Sequence, residues 1–211
     1  MSLAVMLSEG LVALGLDVAA ATQARLLDYL ALLVKWNRTY NLTAIRDERE
    51  MVTQHLLDSL SVLSVVEKSA LATRRWADVG SGAGLPGIPL AIVIPELSMT
   101  LVETVEKKSA FQRQVKIELG LGNVAVASSR VEDVPAATCD AVISRAFADL
   151  ADFARLSGHL LVPGGKLYAM KGHVIPAELE GLPAEWRVSE CLPLRVPGLD
   201  AQRHLIVIEK V

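Results

Sequence analysis

The residues best suited to chemistry are a carboxylate followed by spaced glycines, Asp78-Val-Gly80-Ser-Gly82-Ala-Gly84-Leu85-Pro86-Gly87. A short apolar run from Trp76 precedes them and Ile88-Pro-Leu-Ala-Ile-Val-Ile94 follows, so the pattern predicts strand, tight turn, helix. Gly80, Gly82 and Gly84 accept positive φ and carry no Cβ, which lets backbone amides approach a ligand. Pro86 fits the first turn of the following helix, whose unpaired N–H groups and positive dipole end are expected to face the same crevice. Open α/β sheets hold nucleotide-like ligands at such a turn after the first strand.

Three frames compete for this turn. A P-loop needs a lysine after the glycines, and there is none. Gly82, Gly84 and Gly87 match the dinucleotide pattern G-x-G-x-x-G, but that frame starts the turn past Gly80 and leaves Asp78 without a role. The frame D-x-G-x-G-x-G uses Asp78, Gly80, Gly82 and Gly84 together. It resembles the S-adenosylmethionine loop of class I methyltransferases, in which an in-strand carboxylate helps order the loop. A ligand-free turn is the plain alternative, and it seldom needs so many glycines.

The elements that position this turn alternate between strand and helix from Trp76 onward, which predicts an α/β fold. The expected architecture is a Rossmann-like, doubly wound, mostly parallel sheet of the class I S-adenosylmethionine-dependent methyltransferase type. Ser98–Glu103 reads as the second strand, and Glu103 stands about 20 residues past the turn, where a carboxylate can bind a ribose diol. Lys107–Leu119 reads as an amphipathic helix with Phe111, Val115 and Leu119 on one face. Asn123–Ala127, Cys139–Arg145 and Gly165–Gly172 read as the next three strands. Residues 173–186 form a helical or looping connection, and Trp186–Leu194 and His204–Glu209 complete the sheet. Ligands lie across the carboxyl edge of such a sheet, so Gly80, Glu103, the Ser128–Asp133 loop, Arg145 and Lys171 should converge. Val131 and Glu132 stand where an adenine could pack, with a capped surface loop as the plain reading.

Residues 1–70 read as a helical N-terminal extension to a core of residues 71–211. Asp17 is expected to cap a helix with the stripe Leu26, Leu30, Leu33 and Trp36. The stripe breaks at Lys35–Thr43, a polar segment with Asn37, Asn41 and two aromatics that suits a lid or substrate-facing loop. Asp47 and Glu50 resemble a capping box for a second helix with Met51, His55, Leu56 and Leu60. His55 and Asp58 share a face of it, and the plain expectation is that they pair.

Composition narrows the function classes. At 211 residues and 52% hydrophobic, the chain can bury the core of one α/β domain with an extension. Aromatics at 4% argue against a stacking platform for single-stranded nucleic acid. A net charge of −3 means that any nucleic acid must be held by a local basic patch. Cys139 and Cys191 lie far apart with no C-x-x-C or histidine cluster, so no metal site is expected and a reducing compartment is the simpler setting. The N-terminal stretch lacks a basic start and is interrupted by Glu9 and Asp17, unlike a signal peptide. Leu85–Ile94 is half a membrane span. A cytoplasmic monomer with no membrane partner is expected.

The end of the fourth strand, Ser144-Arg145-Ala146-Phe147, has neither the Asn/Asp-Pro-Pro-Tyr/Phe turn of amino-directed methyltransferases nor a cysteine nucleophile. Cys139, at the start of that strand, is read as core. Arginine suits guanine, whose N7 and O6 are adjacent acceptors. Neutral N7 has a lone pair and no proton to lose, so methylation there needs alignment and no general base. A phosphate, carboxylate or cofactor contact is equally open for Arg145. Lys171 and Arg203 could neutralise RNA phosphates or be solvated charges.

Trp36-Asn37 and Tyr40-Asn41-Leu-Thr43, His55-Leu-Leu-Asp58-Ser59, the Asp78–Gly87 turn and Ser144-Arg145-Ala146 together resemble the RsmG (GidB) family. Gly164-Gly-Lys166, Met170-Lys171-Gly172 and Arg203-His204 extend the resemblance over nearly the whole chain. It implies methyl transfer from S-adenosyl-L-methionine to N7 of guanine 527, in the 530 loop of bacterial 16S rRNA. It implies cofactor contacts at Gly80, Leu85, Val131, Glu132 and Arg145, to which strand geometry adds Glu103. The implied partner is 16S rRNA or the small ribosomal subunit, with Asn37, Asn41, Lys171 and Arg203 as RNA candidates. Arg145 is the one candidate guanine-edge contact, and no further catalytic residue is assigned.

Overall fold

The computed structural model describes residues 1–63, 75–145, 147, 149–173 and 176–211. The boundary expected near residue 70, and Ala146 of the Ser144–Ala146 motif, lie outside the described residues. Seven strands form one sheet: β1 Arg75–Val79, β2 Ser98–Val102, β3 Val124–Ala127, β4 Cys139–Ser144, β5 Leu161–Lys171, β6 Trp186–Pro193 and β7 His204–Lys210. Their order is β3-β2-β1-β4-β5-β7-β6. The first five run parallel and β7 runs antiparallel between β5 and β6, which is the doubly wound, mostly parallel sheet expected. The strand order reverses between β1 and β4. Crossovers leave β1 and β4 in opposite directions there, so a crevice opens beyond their carboxyl ends.

Alternation along each strand splits the core between two faces. On β1, Trp76 points to one side and stacks on Tyr168, with ring centroids 4.9 Å apart, while Ala77 and Val79 point to the other. The Trp76 face is covered by Gly87–Val93 (α5), Glu106–Glu118 (α6) and the N-terminal helices, all in one apolar cluster. The other face is closed by Leu150–Ser157 (α7), through Leu150, Phe153 and Ala154. The sequence reading assigns no element between the fourth and fifth strands. Its signal was there: Asp149 caps Ala151 and Asp152, and the apolar residues follow at helical spacing. Strand β5 also starts at Leu161, ahead of the expected Gly165.

The N-terminal region is helical, with differences in detail. Leu3–Ala13 (α1) and Ala20–Tyr40 (α2) come first, and α2 buries Leu26, Tyr29, Leu30 and Leu33. Asp17 is not its cap; that position is Ala19, which makes no side-chain capping bond. The expected polar loop at Lys35–Thr43 is helix as far as Tyr40, because Trp36 continues the apolar face onto Phe111. Helix α2 stops at Asn41, in the left-handed conformation with φ 50°. Asp47 then caps Glu48–Met51 (α3) by accepting from Arg49 and Glu50, as its spacing predicts. The helix continues through π-helical turns at Val52–Leu57 into Asp58–Leu60 (α4), a widening that no sequence pattern announces. Pro176–Glu180 (α8) fills the link after β5. Among the described residues, no helix is long and apolar enough to cross a membrane.

Because α2 and the sheet bury one shared cluster, truncation in α2 should weaken the whole fold. Leu33→Ala is expected to cost about 2–5 kcal/mol in denaturant unfolding, with a single transition for both regions. Two separate transitions would show that the helices and the sheet unfold independently.

Candidate active site

The glycine turn is built from behind. Asp78, fully buried at the end of β1, accepts a 2.8 Å hydrogen bond from the Gly87 amide and so ties the strand to the start of α5. A Cβ at Gly87 would stand 2.8 Å from that carboxylate oxygen, so only glycine lets the two approach. Gly84 has φ 86° and fits against Ile88 only without a side chain. The expectation that the amides of α5 face the crevice does not hold, since the Gly87 amide is turned back to Asp78.

Two further elements hold the turn in place. Gln112 of α6 donates to Ser81 Oγ and the Gly82 carbonyl, both at 2.8 Å. Tyr29 of α2 donates to the Ala83 carbonyl at 2.9 Å. Burial pushes the Tyr29 phenol well above its usual range, with Arg145 pulling it partly back, so it stays a donor. The amides of Gly80, Ser81, Gly82, Gly84 and Leu85 all have protein acceptors, while the Ala83 amide has none among the described residues. The carbonyls of Ser81, Gly82, Ala83 and Gly84 are taken as well. The Gly80 carbonyl has no donor among the described residues. The turn therefore offers a ligand the Gly80 and Leu85 carbonyls and a single free amide, fewer donors than a pyrophosphate cradle needs.

On one side of the β4 end lies a cavity of about 660 Å³, lined among others by Gly80, Glu103, Val131, Glu132 and Phe147. Its size suits a nucleoside-sized ligand. The Glu103 carboxylate accepts from Gly82 and Val105, both at 2.8 Å. A carboxylate accepts about four hydrogen bonds, so capacity for a diol is left. Leu85 is buried in the turn and does not line this cavity.

On the other side of the β4 end, a smaller cavity of about 330 Å³ is lined by Gln54, His55, Asp58, Arg145, Lys171 and Arg203, among others. Asp58 is 1% exposed and takes Arg145 Nη1 at 2.8 Å and Arg203 Nε at 2.9 Å. The expected His55–Asp58 pair is absent. His55 Nδ1 faces the Gln54 carbonyl at 3.2 Å, which makes it the donor, and Nε2 meets the Thr43 hydroxyl at 3.0 Å. Burial, with Arg145 nearby, lowers the His55 pKa to about 4, so the ring is neutral near pH 7. Lys171 pairs with Glu178 at 2.7 Å.

A model of the GidB family, described as rRNA small subunit methyltransferase G, matches residues 22–206. The chain belongs to that family. It is 58% identical over 205 residues to Ribosomal RNA small subunit methyltransferase G of Azoarcus sp., covering 97% of this chain and 95% of that one. Its identity to the Burkholderia pseudomallei protein of the same name is 52% over 214 residues, covering 99% and 92%. Among solved structures, TrmN from Thermus thermophilus aligns at TM-score 0.58 with 17% identity, over 76% of this chain and 53% of that one. A SAM dependent methyltransferase from Aquifex aeolicus aligns at TM-score 0.56 with 17% identity, over 72% and 92%. The fold is that of class I S-adenosylmethionine-dependent methyltransferases, as the glycine frame predicts. S-adenosyl-L-methionine is the cofactor of a GidB-family protein with this fold, and the carbonyl-presenting loop and strand-end carboxylate fit its ammonium and ribose groups.

The sheet thus gathers Gly80, Glu103, Val131 and Glu132 at one cavity and Arg145, Lys171 and Arg203 at the other. The asparagines fall elsewhere. Asn37 is 2% exposed, its carboxamide donating to the Ile45 carbonyl and accepting from the Thr43 amide, so it braces the chain rather than facing a substrate. Asn41 is exposed and bonded to Arg46. Sequence reasoning missed Tyr29, Gln54 and Gln112. Tyr29 lies on the buried stripe of α2, but its hydroxyl bond to the turn has no sequence signature.

Burial raises the Asp78 pKa from 3.8 to about 7, against the pull of the Gly87 amide and Arg145. Its Oδ1 has no partner among the described residues. Between those two values the folded protein holds a proton that the unfolded chain releases. This group's contribution to stability is therefore complete below 3.8 and is lost as the pH rises through about 7. In thermal melts from about pH 5 to about pH 8, Asp78→Asn should shift steadily in the variant's favour relative to the parent. A constant difference across that range would show that Asp78 is ionised throughout.

Proposed function

We propose that this chain transfers a methyl group from S-adenosyl-L-methionine to N7 of guanine 527 in the 530 loop of 16S rRNA. It works in the bacterial cytoplasm on 16S rRNA or the small ribosomal subunit. The observation that carries this reading is the state of the groups around the smaller cavity. Asp58 has an arginine on each oxygen, Glu178 is paired with Lys171, and His55 is neutral with both ring nitrogens engaged. Among the described residues, no lining group is poised as a general base. That arrangement suits an acceptor with a lone pair and no proton to lose, as guanine N7 is.

The cofactor supplies an electrophilic sulfonium methyl. The protein's part is to bind and align. Glu103 would accept from a ribose diol, Gly80 would offer its carbonyl to an ammonium group, and Val131 and Glu132 would border an adenine. Leu85 shapes the turn from within. Arg145 and Phe147, two residues apart after β4, stand at the two cavities, so Arg145 links the cofactor side to the acceptor side. Arg145, Arg203 and Lys171 bring local positive charge to a chain of net charge −3, which favours a phosphate-bearing partner at this edge. The family name borne by the relatives supports small-subunit rRNA as that partner.

The deciding experiment is transfer of labelled methyl to unmethylated small subunits, with the product mapped by chemical cleavage at N7-methylguanine. One cleavage, in the 530 loop, is expected. Label at another nucleotide would overturn the assigned position, and label on small molecules alone would overturn the rRNA reading. Glu103→Ala should weaken S-adenosylhomocysteine binding about 10- to 100-fold in calorimetry, for the loss of charge-assisted acceptors. An unchanged affinity would remove Glu103 from the cofactor site.

A further inference from the structure

We infer that Asp58 is a positioning residue for the acceptor: it fixes Arg145 and Arg203, from two different strand ends, in one orientation around the smaller cavity. This rests on the reading above, in which that cavity receives the acceptor nucleotide. Asp58 is buried, and its two oxygens are divided between the two guanidiniums. The backbone beside it supplies a second anchor. In an α-helix the Asp58 amide would bond the Gln54 carbonyl; here it bonds Thr53 and His55 instead, because the helix is π-wound. The released Gln54 carbonyl accepts from Arg145 Nη1 at 2.9 Å. Arg203 has a second anchor too, from Nη1 to the Gln202 carbonyl at 2.9 Å.

A guanidinium is planar, with its N–H donors in fixed directions, so holding one edge fixes the others. The Nε–H and Nη2–H groups of Arg145 and the Nη2–H groups of Arg203 meet no acceptor among the described residues. Asp58 therefore presets the donors that an acceptor base or its phosphate would meet. It does so while leaving one net positive charge in the arginine–aspartate–arginine group. What the π-wound turns add is the freed Gln54 carbonyl, which lies on the same face of the helix as the Asp58 carboxylate.

The test compares wild type with Asp58→Asn and Asp58→Glu in small-subunit methylation. S-adenosylhomocysteine affinity is measured alongside, with the Arg203 Nε–H signal followed by NMR. Asp58→Asn should lower kcat roughly 10- to 100-fold, because misaligned donors cost rate. Its cofactor affinity should stay within about threefold of wild type, which separates aligning from cofactor binding. The Arg203 Nε–H signal, protected from exchange in wild type, should lose that protection, and Asp58→Glu should recover part of both rate and protection. The double change Asp58→Asn with Arg203→Gln removes one of the two stranded charges, so it should recover part of the melting temperature but not kcat. Wild-type kcat in Asp58→Asn, or kcat restored together with stability in the double variant, would overturn the inference. Equal loss of rate and cofactor affinity would also overturn it, placing Asp58 on the cofactor side. An inactive wild type would instead overturn the proposed reaction, and the Arg203 signal would still decide whether Asp58 holds the guanidinium.

Discussion

The bond from the Gly87 amide to the Asp78 carboxylate is the constraint on which the site depends. It joins the end of the central strand to the start of the next helix, beneath the turn that a ligand must approach. A buried carboxyl is costly, and the rise of its pKa to about 7 is a measure of that cost. The structure tolerates it because a short acceptor at that point draws the chain into a turn that no apolar side chain could hold. Once the turn is fixed, all but one of its amides from Gly80 to Leu85 satisfy protein acceptors, and the Gly80 and Leu85 carbonyls are left over. Ligand preference follows from that polarity, and it separates this loop from those that cradle phosphates.

The N-terminal helices are part of the site rather than an attachment to it. Helix α2 sends Tyr29 to the Ala83 carbonyl, and Trp36 of the same helix packs on Phe111, one residue before Gln112 in α6. The turn is thus held by a strand, a sheet helix and an N-terminal helix together. Each hydrogen bond is worth only about 0.5–1.5 kcal/mol net, so their effect lies in fixing geometry more than in adding stability. The helix that follows carries Asp58 and Gln54 to Arg145 across the strand end. The smaller cavity is therefore walled partly by chain from outside the parallel sheet.

Much of this was legible in sequence because it rests on local pattern. Alternating strands with glycine turns foretold the sheet, the D-x-G-x-G-x-G spacing foretold the turn after β1, and Glu103 stands just past the end of β2 as its distance from that turn predicts. What the sequence hid was tertiary. The polar residues from Lys35 to Thr43 looked like loop, yet Trp36 packs on a distant helix and keeps that stretch helical to Tyr40. Asn37 looked available and is consumed in bracing Thr43 and Ile45. His55 and Asp58 share a helical face, but π-winding and two arginines from far along the chain give each a different partner. Arginine–carboxylate pairs separated by 87 and 145 residues leave no local trace.

The most direct measurement is a crystal structure of the protein with S-adenosylhomocysteine bound. The ribose hydroxyls should lie on the Glu103 carboxylate, the adenine beside Val131, and the amino group at the Gly80 carbonyl, with the Asp78–Gly87 bond unchanged. A ligand lodged elsewhere, or a turn that opens Asp78 from Gly87 to admit it, would contradict the view that this preformed turn is the cofactor site.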